Sequence, residues 1–323
     1  MLFHLQHKKM KEFTVSKDQS SQRLEKYLKR ILKDASTGFI YKMLRKKNIT
    51  LNGKKAAGNE SLSEGDVIKI FLSDDTFSKM AGQDDDRVLY ERLKNTSFDH
   101  VNVLLENDEI CVLNKPAGIL SQSSDSVDLS LNEEYLAYLI HNGLSYDDFK
   151  MFHPSVANRL DRNTSGIILC GKTLQGQKTL SESIREKKCR KLYKALVHGK
   201  LKDDCHIKAA IRKDIINNIS QVIPISDMKE GDSEIETIIT PEAAYGAYSL
   251  LNIEILTGKS HQIRAQLKSM GLPMMGDPKY GDSMLDKALK IRPKRQMLHA
   301  YKIILPDGLT VEAPLPEDMK AYL

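Results

Sequence analysis

Residues 158–167 read NRLDRNTSGI and place one aspartate, Asp161, between two arginines, Arg159 and Arg162. The aspartate follows the extended segment HPSVANRL and precedes the strand-like segment GIILC, so it lies where two elements meet. Functional residues are often placed on such connections, although a lone aspartate there can also cap a turn. The small residues of Thr164–Gly166 are suited to a tight turn, because glycine adopts backbone conformations that other residues avoid.

Short apolar segments separated by turns continue on both sides of this stretch, from residue 101 onward. They favour an α+β domain with a largely antiparallel or mixed β-sheet and flanking helices. One helix is predicted after LTGKS, with Ser260 as its cap and Gly271 at its end. The predicted strands lie in VNVLLEN, EICVLNKPAG, SGIILCGKT, KLYKALVHGKL, YSLLNIEILTG and YKIILPDGLTVEAPL.

The first 72 residues predict a smaller, basic domain. Apolar residues recur at helical spacing in SSQRLEKYLKRIL, capped by Ser20 or Ser21, and again from Ser36 to Asn48. ITLNGKK predicts a strand entering an Asn-Gly hairpin turn, and GDVIKIFL predicts a closing strand. This region holds 16 Lys and Arg against 7 Asp and Glu, a net of +9, whereas the remainder holds 33 against 36, a net of −3. Such a confined positive field is expected of a nucleic-acid contact.

Two short helices followed by a small hairpin sheet, with basic residues at the second helix and the turn, resemble the S-four RNA-binding domain over roughly residues 14–72. The resemblance implies that Arg45, Lys46 and Lys47 contact RNA. The alternative is a basic helical hairpin whose charges only solvate the surface.

The pattern of elements predicts three parts in the chain. We expect an S-four-like RNA-binding domain at 1–75, a linker at 76–100 and a larger catalytic domain at 101–323. The linker is predicted because its segment loses apolar periodicity and is rich in acidic residues.

The composition excludes several classes of protein. Hydrophobic residues make up 41% and charged residues 28% of the 323, the balance of a soluble globular chain. No apolar run approaches the ~20 residues that span a bilayer, and MLFHLQHKKMKEF lacks a secretory-signal pattern. We therefore expect a cytoplasmic protein with no membrane contact, acting as a monomer.

Cofactor and metal motifs are also missing from the sequence. It contains no GxxxxGK loop, no GxGxxG after a strand and no HExxH, so we expect no cofactor and no metal. The four cysteines have no paired spacing, which argues against a zinc site and a disulfide framework. They are Cys111, Cys170, Cys189 and Cys205.

Six motifs follow the order found in RluA-type pseudouridine synthases, and the chain resembles that family across residues 101–323. These enzymes convert a uridine in RNA to pseudouridine by detaching uracil from its ribose and rejoining it through carbon five. Such an isomerisation requires no cofactor, metal or second substrate. The motifs are NKPAG (114–118), NRLDRNTSG (158–166), RKLYKALVHG (190–199), LTGKSHQIRAQL (256–267), GDPKYG (276–281) and MLHA (297–300).

The resemblance implies three catalytic residues. Asp161 matches the catalytic aspartate, which acts as a nucleophile or stabilises positive charge on the ribose. Arg264 matches its cationic partner, which offsets the rise in pKa that burial imposes on a carboxylate. Tyr193 matches the active-site tyrosine, which stacks on the extracted uracil or assists proton removal from carbon five; the choice between these two roles stays open.

The resemblance also implies the residues that contact RNA. A helical nucleotide hides its glycosidic bond, so the target base must leave the stack, and Arg159 is expected to fill the gap. Arg162, Lys115 and Lys259 are expected to contact phosphates. His261 is expected to be structural or to contact RNA rather than to act as a catalyst.

Two positions depart from the family pattern, since Asn158 replaces a common histidine and Lys259 replaces an arginine. Asn158 cannot act as an acid or base. The leading hypothesis is a pseudouridine synthase acting on structured RNA, with large-subunit ribosomal RNA favoured by the basic domain and transfer RNA as an alternative substrate. Two competing hypotheses are a catalytically silent RNA-binding or ribosome-assembly factor and a carboxylate-based glycoside hydrolase.

Overall fold

A computed structural model of the protein describes residues 9–82, 85–123, 129–214, 216–290 and 292–323. Residues 1–8, which belong to the segment inspected for a secretory signal, lie outside the described residues. The chain forms two compact units. The first comprises residues up to 97, 136–154 and 172–176, and the second comprises 98–135, 155–171 and 177–323.

The first unit contains a four-stranded antiparallel sheet, ordered β1-β4-β2-β3, and several helices. Its strands are β1 (Lys9–Thr14), β2 (Ile49–Leu51), β3 (Lys54–Lys55) and β4 (Val67–Leu72). The helices are α1 (Leu24–Ile31), α2 (Thr37–Arg45), α3 (Asp74–Ala81), α4 (Asp85–Lys94), α5 (Leu131–His141, which begins in the second unit) and α6 (Tyr146–Met151).

Both predicted N-terminal helices and the Asn-Gly hairpin are confirmed. The second helix begins next to Ser36, as expected, and Ser36 caps it by accepting a hydrogen bond from the Phe39 amide. The cap predicted for α1 was wrong, because Arg23 occupies that position rather than Ser20 or Ser21. Residues 76–100, expected as a linker, contain most of α3 and all of α4. These helices bury only Leu93, which is why the segment shows so little apolar periodicity.

The second unit is built on one mixed sheet of eleven strands, which confirms the predicted α+β class. Nine strands follow the order β11-β10-β12-β13-β9-β14-β8-β6-β5, while β15 pairs with β14 and β7 pairs with β8. The strands are β5 (Val103–Glu106), β6 (Ile110–Lys115), β7 (Ser155–Val156), β8 (Ser165–Gly171), β9 (Arg190–His198), β10 (Cys205–Asp214), β11 (Ile219–Ile223), β12 (Ser233–Tyr245), β13 (Tyr248–Ile255), β14 (Leu298–Ile304) and β15 (Thr310–Glu312).

Four further helices lie wholly or mainly in the second unit. They are α7 (Leu174–Arg185, which begins in the first unit), α8 (Gln262–Ser269), α9 (Ser283–Ala288) and α10 (Glu317–Lys320). Every helix within the described ranges is too short or too polar to cross a membrane. The helix predicted after LTGKS is α8, but its cap is His261 in a left-handed conformation (φ 57°) rather than Ser260.

Strands β8 and β14 form the one parallel pairing among the described strands, and this pairing joins the two halves of the large sheet. Gly166 lies opposite Ala300 at this junction with φ +116°. A Cβ atom on Gly166 would lie 2.2 Å from the carbonyl oxygen of Ala300, so the junction requires glycine. Gly166, the last residue of NTSG, therefore allows β8 and β14 to pair in the sheet that carries the site.

Candidate active site

Asp161 lies on the connection between β7 and β8, in the second unit. The turn is closed by the Thr164 amide, which donates to the Asp161 carbonyl at 3.0 Å. The Ser121 hydroxyl accepts from the Leu160 amide and donates to the Leu160 carbonyl, both at 2.9 Å. These bonds fix the backbone on either side of the aspartate.

The predicted pairing of Asp161 with Arg264 is present. Arg264 extends from α8, and its Nη1 donates to Asp161 Oδ2 at 2.7 Å. The arginine side chain is 5% exposed and the aspartate side chain 30% exposed, so the carboxylate is paired from within and open from outside. Burial works to lower the pKa of Arg264, but the bonds and charges of Asp277 and Asp161 outweigh it and raise that pKa. The guanidinium is therefore a permanent positive charge beside the carboxylate.

Tyr193 lies on β9, in the strand predicted for KLYKALVHGKL, and its side chain is buried. Burial, and then the negative charge of Asp161, raise the pKa of Tyr193 well above its usual value. The phenol is therefore protonated at neutral pH and cannot begin a reaction as a phenolate base.

His261 lies at the start of α8, with its Nε2 4.0 Å from Asp161 Oδ2. Its Nδ1 is 3.0 Å from the Tyr280 hydroxyl. Burial lowers the pKa of His261, the charge of Asp161 opposes this, and Arg264 supports it; the net shift is downward. The ring is therefore neutral at pH 7. The expectation that His261 is structural or contacts RNA, rather than acting as a catalyst, stays a prediction.

The structure corrects the prediction that Lys115 contacts a phosphate. Lys115 is wholly buried, and its Nζ donates to the carbonyls of Pro116, Ile119 and Arg162 at 2.9, 2.8 and 3.0 Å. Burial, followed by repulsion from Arg295, lowers the pKa of Lys115 to about 7. The three carbonyls match the three hydrogens of an ammonium group, so this lysine joins the NKPAG loop to the Asp161 loop.

The lysines and arginines among the other predicted RNA contacts are exposed. Arg159, Arg162 and Lys259 lie at the surface of the second unit. Arg45, Lys46 and Lys47, hereafter the α2 basic cluster, lie at the surface of the first unit. Their placement is compatible with the predicted contacts, and their RNA-binding roles stay predictions.

Asn158, where the chain departs from the family pattern, has a structural contact. Its side-chain oxygen accepts from the Leu169 amide at 2.7 Å, and its amide nitrogen donates to the Ile167 carbonyl at 3.3 Å. An amide has the donor and the acceptor that these two backbone groups of β8 require. Asn158 therefore supports β8 next to the site, and these two contacts do not require a titratable side chain.

A buried polar cluster supports the residues after Asp161, and only the MLHA motif pointed to it in the sequence. Arg295 donates to the Asn163 carbonyl at 3.2 Å and pairs with Asp318 through two bonds of 2.6 and 2.8 Å. His299 Nδ1 lies 2.9 Å from the Ser165 hydroxyl. Burial lowers the pKa of His299 to about 4, so it is neutral. Among the residues that the structure describes, no group of three His, Cys, Asp or Glu side chains is arranged to hold a metal ion.

Known proteins are similar to this chain in sequence and in fold. The RNA pseudouridylate synthase family matches residues 109–269. The ribosomal large subunit pseudouridine synthase C of Rickettsia bellii is 32% identical over 308 residues, which cover 92% of this chain and 95% of that protein. The protein of the same name from Pasteurella multocida is 27% identical over 321 residues, which cover 97% and 93%.

Two solved human structures share the fold. Human RNA pseudouridylate synthase domain containing 4 has a TM-score of 0.54 at 21% identity, covering 74% of this chain and 95% of that one. Human RNA pseudouridylate synthase domain containing 1 has a TM-score of 0.52 at 22% identity, covering 69% and 85%. The chain belongs to the RNA pseudouridylate synthase family. It is an isomerase that forms pseudouridine in RNA.

Proposed function

We propose that this enzyme isomerises uridines of large-subunit ribosomal RNA, with Asp161 as the catalytic carboxylate. The observation that carries the proposal is the half-open ion pair, in which a buried arginine holds one carboxylate oxygen while 30% of the aspartate side chain stays exposed. A carboxylate in this state is oriented by the arginine and accessible to an extracted base. The names of the relatives, ribosomal large subunit pseudouridine synthase C, support the choice of RNA.

The chemistry requires a negative charge near the sugar and base. An ionised Asp161 either attacks directly or stabilises positive charge on the ribose as the bond to uracil breaks. Arg264 places a positive charge 2.7 Å from one carboxylate oxygen and orients the carboxylate. Tyr193 supplies an aromatic face at the site and a phenol that is protonated when the reaction starts.

RNA binding is assigned to exposed cations in both units. Arg159, two residues before the aspartate, enters the space left by the flipped base, while Arg162 and Lys259 contact phosphates. The first unit, with the α2 basic cluster, acts as an S-four-like RNA-binding domain within residues 1–75. Two helices packed beside a short antiparallel sheet, and the net charge of +9 over residues 1–72, support this assignment.

The proposed setting is the cytoplasm, with the enzyme acting as a monomer. The four cysteines form no disulfide, which agrees with a reducing compartment. Transfer RNA is the competing substrate, and mapping pseudouridines in cellular RNA separates the two.

The test is a pseudouridine map of total RNA from cells with the gene, without it, and with Asp161→Ala in its place. We expect specific sites in large-subunit ribosomal RNA to be lost without the gene and to stay absent with the alanine variant. Asp204→Ala, in an exposed loop before β10, is the matched control and should restore them. Loss confined to transfer RNA would contradict the substrate assignment, and restoration by Asp161→Ala would contradict the role of the aspartate.

A further inference from the structure

The GDPKYG motif, residues 276–281, contacts Arg264 and His261, the two side chains that face Asp161. Asp277 has a fully buried side chain and accepts from Arg264 Nε at 2.6 Å and Nη2 at 2.8 Å. The guanidinium edge formed by Nε and Nη2 is thereby occupied. Only Nη1 extends to Asp161, at 2.7 Å.

The Asp277 carboxylate is itself fixed by its own turn. Its Oδ1 accepts from the backbone amides of Lys279 and Tyr280 at 2.9 and 3.0 Å. Burial acts to raise the pKa of Asp277, but the bonds and charge of Arg264 and then the two amides outweigh it, so the pKa is lowered. An ionised carboxylate with four donors has no freedom to rotate, and it transmits that rigidity to the arginine.

Tyr280 adds a second fixed contact on the same side. The Arg264 guanidinium carbon lies 5.1 Å from the centre of the Tyr280 ring. The Tyr280 oxygen accepts from the Ser220 amide at 2.6 Å, so its hydrogen is available for His261 Nδ1 at 3.0 Å. The other ring nitrogen of His261, Nε2, lies 4.0 Å from Asp161 Oδ2.

We propose that Asp277 is a positioning residue for the isomerisation, acting through Arg264. It holds the guanidinium so that a single N–H group is directed at the catalytic carboxylate, and Tyr280 supports the arrangement. Asp277 makes no contact with substrate in this role. The inference rests on the proposed function, in which Asp161 is the catalytic carboxylate.

The effect of Asp277 on the reaction rate can be tested because it must act through Arg264. Without the Asp277 charge, the guanidinium can rotate, and a displacement of about 1 Å in a catalytic contact can cost roughly a hundredfold in rate. If Asp277 acts only through Arg264, its loss should matter little once Arg264 is gone, because mutations of coupled residues are not additive.

The experiment measures the single-turnover rate at saturating RNA and the Kd for RNA, using Asp277→Asn, Arg264→Met and the double variant. We expect Asp277→Asn to lower the rate at least ~10-fold with Kd within about twofold, and the double variant to match Arg264→Met within about twofold. A rate for Asp277→Asn equal to that of the wild type would overturn the proposal. So would a further ~10-fold loss in the double variant, which would indicate an independent structural effect.

Asp232→Asn is the matched control, since Asp232 also accepts two bonds from one arginine, Arg212, at 3.0 and 2.7 Å. It should lower stability without changing the rate. Should Asp277→Asn not fold, Asp277→Glu replaces it, because it keeps the charge and displaces the carboxylate by one methylene. A ~5-fold or greater loss of rate at unchanged Kd supports the proposal, and the wild-type rate overturns it.

Asp161→Ala distinguishes failure of the proposed function from failure of the positioning role of Asp277. If it keeps full activity, the proposed function itself fails. If it is inactive while Asp277→Asn reacts at the wild-type rate, only the positioning role fails.

Discussion

Gly166→Ala tests whether the junction of β8 and β14 holds both the fold and the site. The new Cβ would lie 2.2 Å from the Ala300 carbonyl oxygen and 2.6 Å from the Ala300 nitrogen. Both atoms are backbone, so no side chain can move aside, and β14 must separate from β8 by roughly 1 Å to reach an ordinary contact distance.

The cost has two parts. A non-glycine residue at φ +116° is strained by about 1–3 kcal/mol. The parallel junction consists of only two residue pairs, and weakening two hydrogen bonds there costs about 2 kcal/mol more. The expected loss of about 3–5 kcal/mol is a large fraction of the roughly 5–15 kcal/mol that stabilises a typical domain.

The assay is urea unfolding of Gly166→Ala and of Gly308→Ala. Gly308 also has a positive φ, +88°, but a Cβ there meets nothing within 4 Å. The control therefore retains the backbone strain and lacks the collision. A loss for Gly166→Ala within about 1 kcal/mol of that for Gly308→Ala would refute the steric reasoning.

Three further predictions concern charge. The pKa of His299 is lowered to about 4 in the fold, so the unfolded state binds more protons between about pH 6.5 and 4, and stability falls as the pH falls through that window. The wild type should lose about 3 kcal/mol more than His299→Asn between pH 7 and 4 in urea titrations, and equal losses would contradict this. Lys115→Met should leave the salt dependence of RNA binding unchanged, whereas Lys259→Met should lower the slope by about 1; a lower slope for Lys115→Met would restore it as a phosphate contact. Replacing the α2 basic cluster with glutamine should lower that slope by up to about 3, and an unchanged slope would leave the cluster as a solvated surface.

The two N-terminal helices and the hairpin turn of the first unit, which depend on residues close together in the sequence, were predicted correctly. The apolar spacing of α1 and α2 and the Asn-Gly turn between β2 and β3 were sufficient for their prediction. Strand β1 was missed because KMKEFT is short and pairs with β4, more than fifty residues away. Strands β10 to β12 were also missed, although their burial partly alternates.

The site was predictable where its chemistry follows from motif order and not where it depends on burial. The pairing of Arg264 with Asp161 spans about a hundred residues, and only the family resemblance indicated it. The sequence does not show whether the ammonium group of a lysine meets solvent or backbone carbonyls. Lys115 was therefore predicted to contact a phosphate, whereas its ammonium group donates to three carbonyls. The GDPKYG motif alone indicates no role for Asp277, because only the fold brings this residue next to its partner, Arg264.

The role of Asp161 is tested most directly by the rate of pseudouridine formation by purified Asp161→Ala, measured with its Kd for the same RNA. We expect no detectable product and a Kd within about twofold of the wild type, because the carboxylate takes part in the reaction and exposed cations bind the RNA. Product formed at the wild-type rate would contradict the proposed mechanism.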